Sequence, residues 1–67
     1  MAVARVTKIT ASSPKSFQDA VNEGLNRASG SLRGITGLEV VAQKAKVEDG
    51  RITEYRSTIE VTFVLEG

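Results

Sequence analysis

Apolar residues recur with a period of two in three stretches of the chain and with helical spacing in a fourth. Ala2 to Thr10 (AVARVTKIT) is rich in β-branched residues and predicts a first strand. After the punctuation of Ala11-Ser12-Ser13-Pro14, the residues Phe17, Ala20, Val21, Leu25, Ala28 and Leu32 return at intervals of three and four. They predict one amphipathic helix from Pro14 to about Leu32. Ser13 is its expected N-cap and Pro14 its first residue, where a missing N–H costs nothing. Gly30 either caps the helix early or is tolerated within it. Asp19, Asn22, Glu23, Asn26 and Arg27 occupy the opposite face, with Glu23 and Arg27 spaced for an i,i+4 ion pair.

Leu38 to Val47 and Ile52 to Leu65 predict two further strands around Glu48-Asp49-Gly50-Arg51. Asp-Gly between two such runs signals a type I′ hairpin, which needs positive φ at both turn residues. That turn sets an expected register of Glu48 against Arg51, Ala42 against Ser57, Val40 against Ile59 and Leu38 against Val61. Tyr55, Ile59, Val61, Phe63 and Leu65 then share one face, joined by Leu38, Val40 and Ala42, and the helix packs there. Gly37, Glu39, Gln43, Glu54, Arg56, Thr58, Glu60 and Thr62 share the other, with Gln43 directly across from Arg56. That outer face also takes Val41, Ala45, Val47 and Ile52, too apolar a set for a surface that meets only water. A helix of about 18 residues covers roughly 27 Å. A strand of about 14 residues reaches about 46 Å. The uncovered sheet therefore calls for another subunit. The expectation is an α+β protein: a β-α-β-β protomer whose three-stranded antiparallel sheet wraps around one helix, built into an oligomer.

Composition strengthens the need for partners. A chain of 67 residues, 40% apolar and without tryptophan, buries little by itself. Small domains commonly compensate with disulfides, a metal or association, and the absence of cysteine removes disulfides and thiolate zinc sites. The absence of histidine removes the usual general base and the usual transition-metal ligand. Nine Lys and Arg against eight Asp and Glu are spread without runs, so no basic face for nucleic acid is expected. No apolar run is long enough for a membrane span, and Met1-Ala2-Val3-Ala4-Arg5 lacks the layout of a secretion signal. The expectation is one cytoplasmic domain over residues 1–67.

Nothing in the sequence supports an enzyme. Asp19 and Glu23 stand one helical turn apart but on the polar face with Arg27 following. Ser12-Ser13 is explained by capping and has no activating base. The segment Gly30–Gly37 (GSLRGITG) follows a helix rather than a strand and matches neither the dinucleotide nor the P-loop pattern. Glu48-Asp49-Gly50 lacks the spacing of a calcium loop. What remains is binding between subunits, where the polar and apolar outer face repeated by symmetry either encloses a planar or anionic ligand or only joins the copies.

The whole chain resembles the dodecin family. The resemblance runs through Val6–Ile9, Ser13, Ser16-Phe17, Ala20 to Ala28 with Asn26-Arg27-Ala28, Leu32-Arg33 and Glu39-Val40-Val41. It continues through Glu48-Asp49-Gly50, Tyr55, Thr58, Val61, Phe63, Leu65 and Glu66. It implies a hollow homododecamer that binds flavins such as riboflavin or FMN in pairs near two-fold axes, storing them or quenching their photochemistry rather than catalysing. Some members also bind coenzyme A or metal ions. The family pattern carries a flavin-stacking Trp just before the residues matching Leu38-Glu39-Val40, where this chain has Gly37. A Gln that hydrogen-bonds the flavin edge in many members corresponds to Arg56. The candidate flavin-binding residues are therefore Gly37, Gln43, Arg56 and Thr58, with stacking weakened. The alternative is a structural or ion-binding shell that takes no flavin.

Overall fold

The computed structural model describes residues 3–65 and contains four elements: β1 (Val3–Ser13), α1 (Phe17–Ser29), β2 (Ile35–Glu48) and β3 (Arg51–Leu65). Ala2, the expected first residue of the opening strand, lies outside the described residues, as do Met1 and Glu66. The strands form one antiparallel sheet in the order β1-β3-β2, so the last strand is the central one. This is the β-α-β-β architecture with a single helix that the hydrophobic pattern predicts.

The junction between β1 and α1 differs from expectation. Ser13 is not the helix cap; it is the last residue of β1, paired with Tyr55. The residue before a proline is driven towards extended backbone, which prolongs the strand up to Pro14. Ser16 caps α1 instead: its backbone is extended and its side chain accepts from the Asp19 amide at 2.9 Å. At the other end Gly30 is the C-cap, and its N–H bonds back to Ala28 and Arg27 carbonyls. The helix is therefore 13 residues rather than about 18. Glu23 and Arg27 do not form the expected ion pair; among the described residues the ion pairs are Lys46–Glu48 and Arg56–Glu54.

The hairpin turn stands where Asp49-Gly50 places it, with φ of 50° and 76° at the two residues and Glu48 opposite Arg51. Val40 pairs with Ile59 and Leu38 with Val61, as expected. Between those points the register is displaced. An irregularity between Lys46 and Val47 leaves Thr53 without a partner, and a second between Val40 and Ala42 leaves Val41 without one. The first adds a residue to β3 and the second adds one to β2, so the two cancel. Within the displaced stretch Ala42 opposes Thr58 rather than Ser57, and Gln43 opposes Ser57 rather than Arg56, which faces Lys44.

The core lies where α1 crosses β1 and β3. Val21 and Ala28 of the helix bury against Ile59 and Val61 of the central strand, with Ile9, Leu32, Ile35 and Leu38 around them, and Ala20 is also fully buried. Gly24 lets the elements approach, since a Cβ there would lie 3.3 Å from both Ala11 Cβ and Ile59 Cδ1. Ser57, fully buried, donates to the Phe17 carbonyl at 3.1 Å, and the Phe17 and Tyr55 rings meet edge to face with centroids 5.0 Å apart.

One short helix leaves much of the sheet bare. At 1.5 Å per residue α1 spans about 20 Å. The molecule is 52 Å long and only 12 Å thick. Beyond Tyr55, β1 has ended and the β2–β3 hairpin continues as a two-stranded ribbon whose paired residues Val47 and Ile52 are 60% and 48% exposed.

Candidate functional site: the bare sheet face

Strand alternation and the observed register define the face turned away from α1. Ser57, Ile59 and Val61 bury beneath the helix, so Glu54, Arg56, Thr58, Glu60 and Thr62 lie on the opposite side. Residues paired across a ladder share a face. The bare face therefore consists of rows running across the strands. Lys46 and Glu54 form one, and Lys44, Arg56 and Ser12 the next. Then come Ala42, Thr58 and Thr10; Glu39, Glu60 and Lys8; and Gly37, Thr62 and Val6. Val6 is 53% exposed.

The expected site residues are only partly brought together. Arg56 and Thr58 are neighbours on this face. The Arg56 Nε donates to Glu54 Oε1 at 2.5 Å, which holds the guanidinium along the strand. Thr58 and Thr10 share a hydroxyl–hydroxyl hydrogen bond of 2.9 Å between β3 and β1. Gly37 is on the same face but opposite Thr62, six residues along β3 from Arg56. That is about 20 Å within one chain. Gln43 does not belong to the group: paired with Ser57, it lies on the helix side of the sheet. Ala45, paired with Tyr55, follows it to that side, and Ala42 moves the other way with Thr58.

Lys44 is on the bare face although an unbroken hairpin register puts it on the other. Lys8 and Thr10 also belong there; the alternation of β1 carries that signal once its pairing to β3 is known. Around Gly37 the space is open, with nothing within 4 Å of an added Cβ. A separate half-open cleft of about 390 Å³ lies between β1 and α1, lined by Ile9 to Ser12 with Glu23, Gly24 and Arg27, and contains none of the expected site residues. Among the described residues no three acidic side chains gather closely enough to hold a metal ion, and no helix is long and apolar enough to cross a membrane.

A long open sheet with one face under a short helix and the other bare defines a small α+β protein of the β-α-β-β class. The dodecin family model matches residues 3–66, and the chain belongs to the dodecin family. Among solved structures, the dodecin from Streptomyces davaonensis is 35% identical with a TM-score of 0.92, covering 98% of this chain and 97% of that one. The dodecin from Streptomyces coelicolor is 30% identical with a TM-score of 0.93, covering 98% and 94%. A calcium dodecin from Mycobacterium tuberculosis, described as a calcium-chelating immunodominant antigen, is 34% identical with a TM-score of 0.82, covering 96% and 91%. A comparison with curated proteins finds no match.

Proposed function

We propose that this protein is a cytoplasmic, non-enzymatic homo-oligomer of the dodecamer type. Each copy contributes one domain, and the contacts between bare sheet faces hold a small flat or anionic ligand of the flavin kind. The observation that carries the reading is the bare face itself. The chain exposes 4987 Å², against about 4,100 Å² for a compact monomer of this mass. The excess is what association covers. Arg56 and Thr58 supply donors for a flavin edge or a phosphate, and the planar guanidinium also lies flat against an aromatic ring. Gly37 offers no ring, so stacking is weak: losing two rings of a symmetric sandwich, each worth about 0.5–1.5 kcal/mol, lowers affinity tenfold to a hundredfold.

The test is light scattering together with a titration of riboflavin and FMN followed by flavin fluorescence. The expected result is an assembly many times 7 kDa that quenches flavin with a Kd weaker than about 1 µM. A monodisperse monomer overturns the reading, and tighter quenching overturns the weakened site. The likeness to the calcium-chelating dodecin of Mycobacterium tuberculosis favours one alternative, an ion-binding shell. Its ligands would have to come from several copies, and calcium-dependent assembly without any flavin quenching would select it.

A further inference from the structure

The side chains of aspartate and asparagine can react with their own main chain, when the nitrogen of the next residue closes a succinimide ring on the side-chain carbonyl. The chain has four residues able to do so: Asp19, Asn22, Asn26 and Asp49. The ring needs a free amide on the following residue and a backbone able to swing that amide onto the side chain. Three of the four lack both. The Ala20 amide donates to the Ser16 carbonyl at 3.1 Å, and the Asp19 carboxylate is held by the Ser13 hydroxyl. The amides after Asn22 and Asn26 lie inside α1 and are committed to its ladder.

Asp49 differs in each respect. The hairpin ladder closes at Glu48–Arg51, so the Gly50 N–H stands outside it, and among the described residues it has no other main-chain partner. The Asp49 carboxylate has no ion-pair partner among them either. Gly50 carries no Cβ to shield its nitrogen, and the space a Cβ would take is open. Asp49, with φ of 50°, is the one described non-glycine residue with left-handed backbone, a conformation an L-residue holds at a cost. The tip is also weakly held. Every residue from Gln43 to Thr53 is exposed, and β1 has ended opposite Tyr55. Only Val47–Ile52 and Glu48–Arg51 pair between the turn and the irregularity at Thr53, so the tip opens by parting two rungs.

We propose that Asp49-Gly50 is a self-modification site at which the hairpin tip converts to isoaspartate. The Gly50 nitrogen bonds to Asp49 Cγ, and its proton leaves with the carboxyl OH as water, giving the succinimide. Water then adds to one of the two ring carbonyls. Addition at Cγ breaks the new bond and restores aspartate. Addition at the Asp49 main-chain carbonyl breaks its bond to Gly50, so the chain now runs through Cβ and Cγ and the carboxylate sits on Cα. One water leaves and one enters, no oxidant or co-reactant takes part, and mass and charge are unchanged. The main chain gains a carbon, which a two-residue type I′ turn cannot absorb with Glu48 still opposite Arg51. Conversion therefore unfastens the two tip rungs and leaves the sheet beneath the helix in place. Neither the ligand nor the assembly proposed above enters this step.

The test keeps the intact protein in heavy-oxygen water at neutral pH and physiological temperature for weeks, beside the end-capped free peptide Val47–Arg51. Trypsin in ordinary water then cuts after Lys46 and Arg51 to release Val47–Arg51, and after Lys15 and Arg27 to release Ser16–Arg27, which carries the other three sites. Heavy oxygen is expected to enter Val47–Arg51, with a second form of that peptide growing that an aspartate-directed protease no longer cuts. The rate is expected within about tenfold of the free peptide's, because exposed turns open at little cost. Ser16–Arg27 is expected to take up no label over the same period. Asp49→Gly gives a Gly-Gly pair that suits the same turn and cannot close the ring, so its peptide should stay unlabelled. Conversion slower than the stated bound overturns the proposal. So does label entering Ser16–Arg27 as fast, or persisting in the Asp49→Gly peptide.

Discussion

The Ser13 hydroxyl donates to the Asp19 carboxylate at 2.6 Å, fastening the last residue of β1 to the first turn of α1. Ser13 is 3% exposed, and its oxygen also accepts the Lys15 amide at 3.0 Å, so one buried hydroxyl fixes the whole turn around Pro14. Ser13→Ala leaves two polar partners short and is expected to cost about 1–2 kcal/mol. Ser16→Ala removes the cap itself and costs about 1 kcal/mol. Ser12 is exposed and its alanine variant should be neutral. Urea unfolding at one fixed protein concentration checks all three, because association would otherwise move the midpoints.

Gly50 has φ of 76° in the hairpin turn, whereas Gly37 has no such backbone; an added Cβ meets nothing within 4 Å at either. The two therefore separate backbone strain from crowding. Gly50→Ala is expected to cost about 1–2 kcal/mol, the difference between left-handed and ordinary backbone for an L-residue. Gly37→Ala should cost nothing measurable. Thermal melts of the two variants side by side give the comparison.

The turn at Asp49-Gly50 and the pairing of Val40 with Ile59 were legible because a two-residue turn of known type fixes register from its own chemistry. The sequence misplaces Gln43 because the register shifts at Thr53 and is not restored until Val41, both β-branched residues that fit an uninterrupted strand equally well. A bulge marked by glycine is visible in a sequence; these are visible only in the ladder. The cap was misassigned for a related reason. Ser12, Ser13 and Ser16 carry the same capping chemistry, and the choice among them falls to tertiary contacts: Ser13 pairs with Tyr55 in the sheet and bonds Asp19, leaving Ser16 for the helix. The overhang of β3 beyond the helix was legible from lengths alone, and an earlier end to α1 at Gly30 makes it larger.

Gly24 sits at a close approach of α1 to the sheet, with Ala11 Cβ and Ile59 Cδ1 each 3.3 Å from where its Cβ would be. Ala11 Cβ is fixed to the backbone of β1 and cannot yield without moving the strand. Gly24→Val forces two further methyl groups into that gap and is expected to cost about 1–3 kcal/mol. Ile59→Ala opens a cavity on the other side of the same contact and costs about 2–5 kcal/mol. The double variant should be less destabilised than the two losses added together, since the void accepts part of the valine. Unfolding measurements on the three proteins close this cycle.

Gly37 lies on the bare face, opposite Thr62, with open space where a side chain would project and no positive φ to resist one. Gly37→Trp should therefore fold and melt within a few degrees of the parent. If a flavin sits between copies, the introduced indoles stack on it at about 0.5–1.5 kcal/mol per ring beyond the area they bury. Two rings in a symmetric pair then tighten binding by about tenfold to a hundredfold. Gly37→Leu fills comparable space without a ring and separates stacking from burial. Flavin fluorescence titrations of the parent and both variants provide the measurement. A large gain for the tryptophan variant alone places the ligand against residue 37. Equal affinities in all three proteins put the ligand elsewhere, leaving Arg56 and Thr58 to be tested without it.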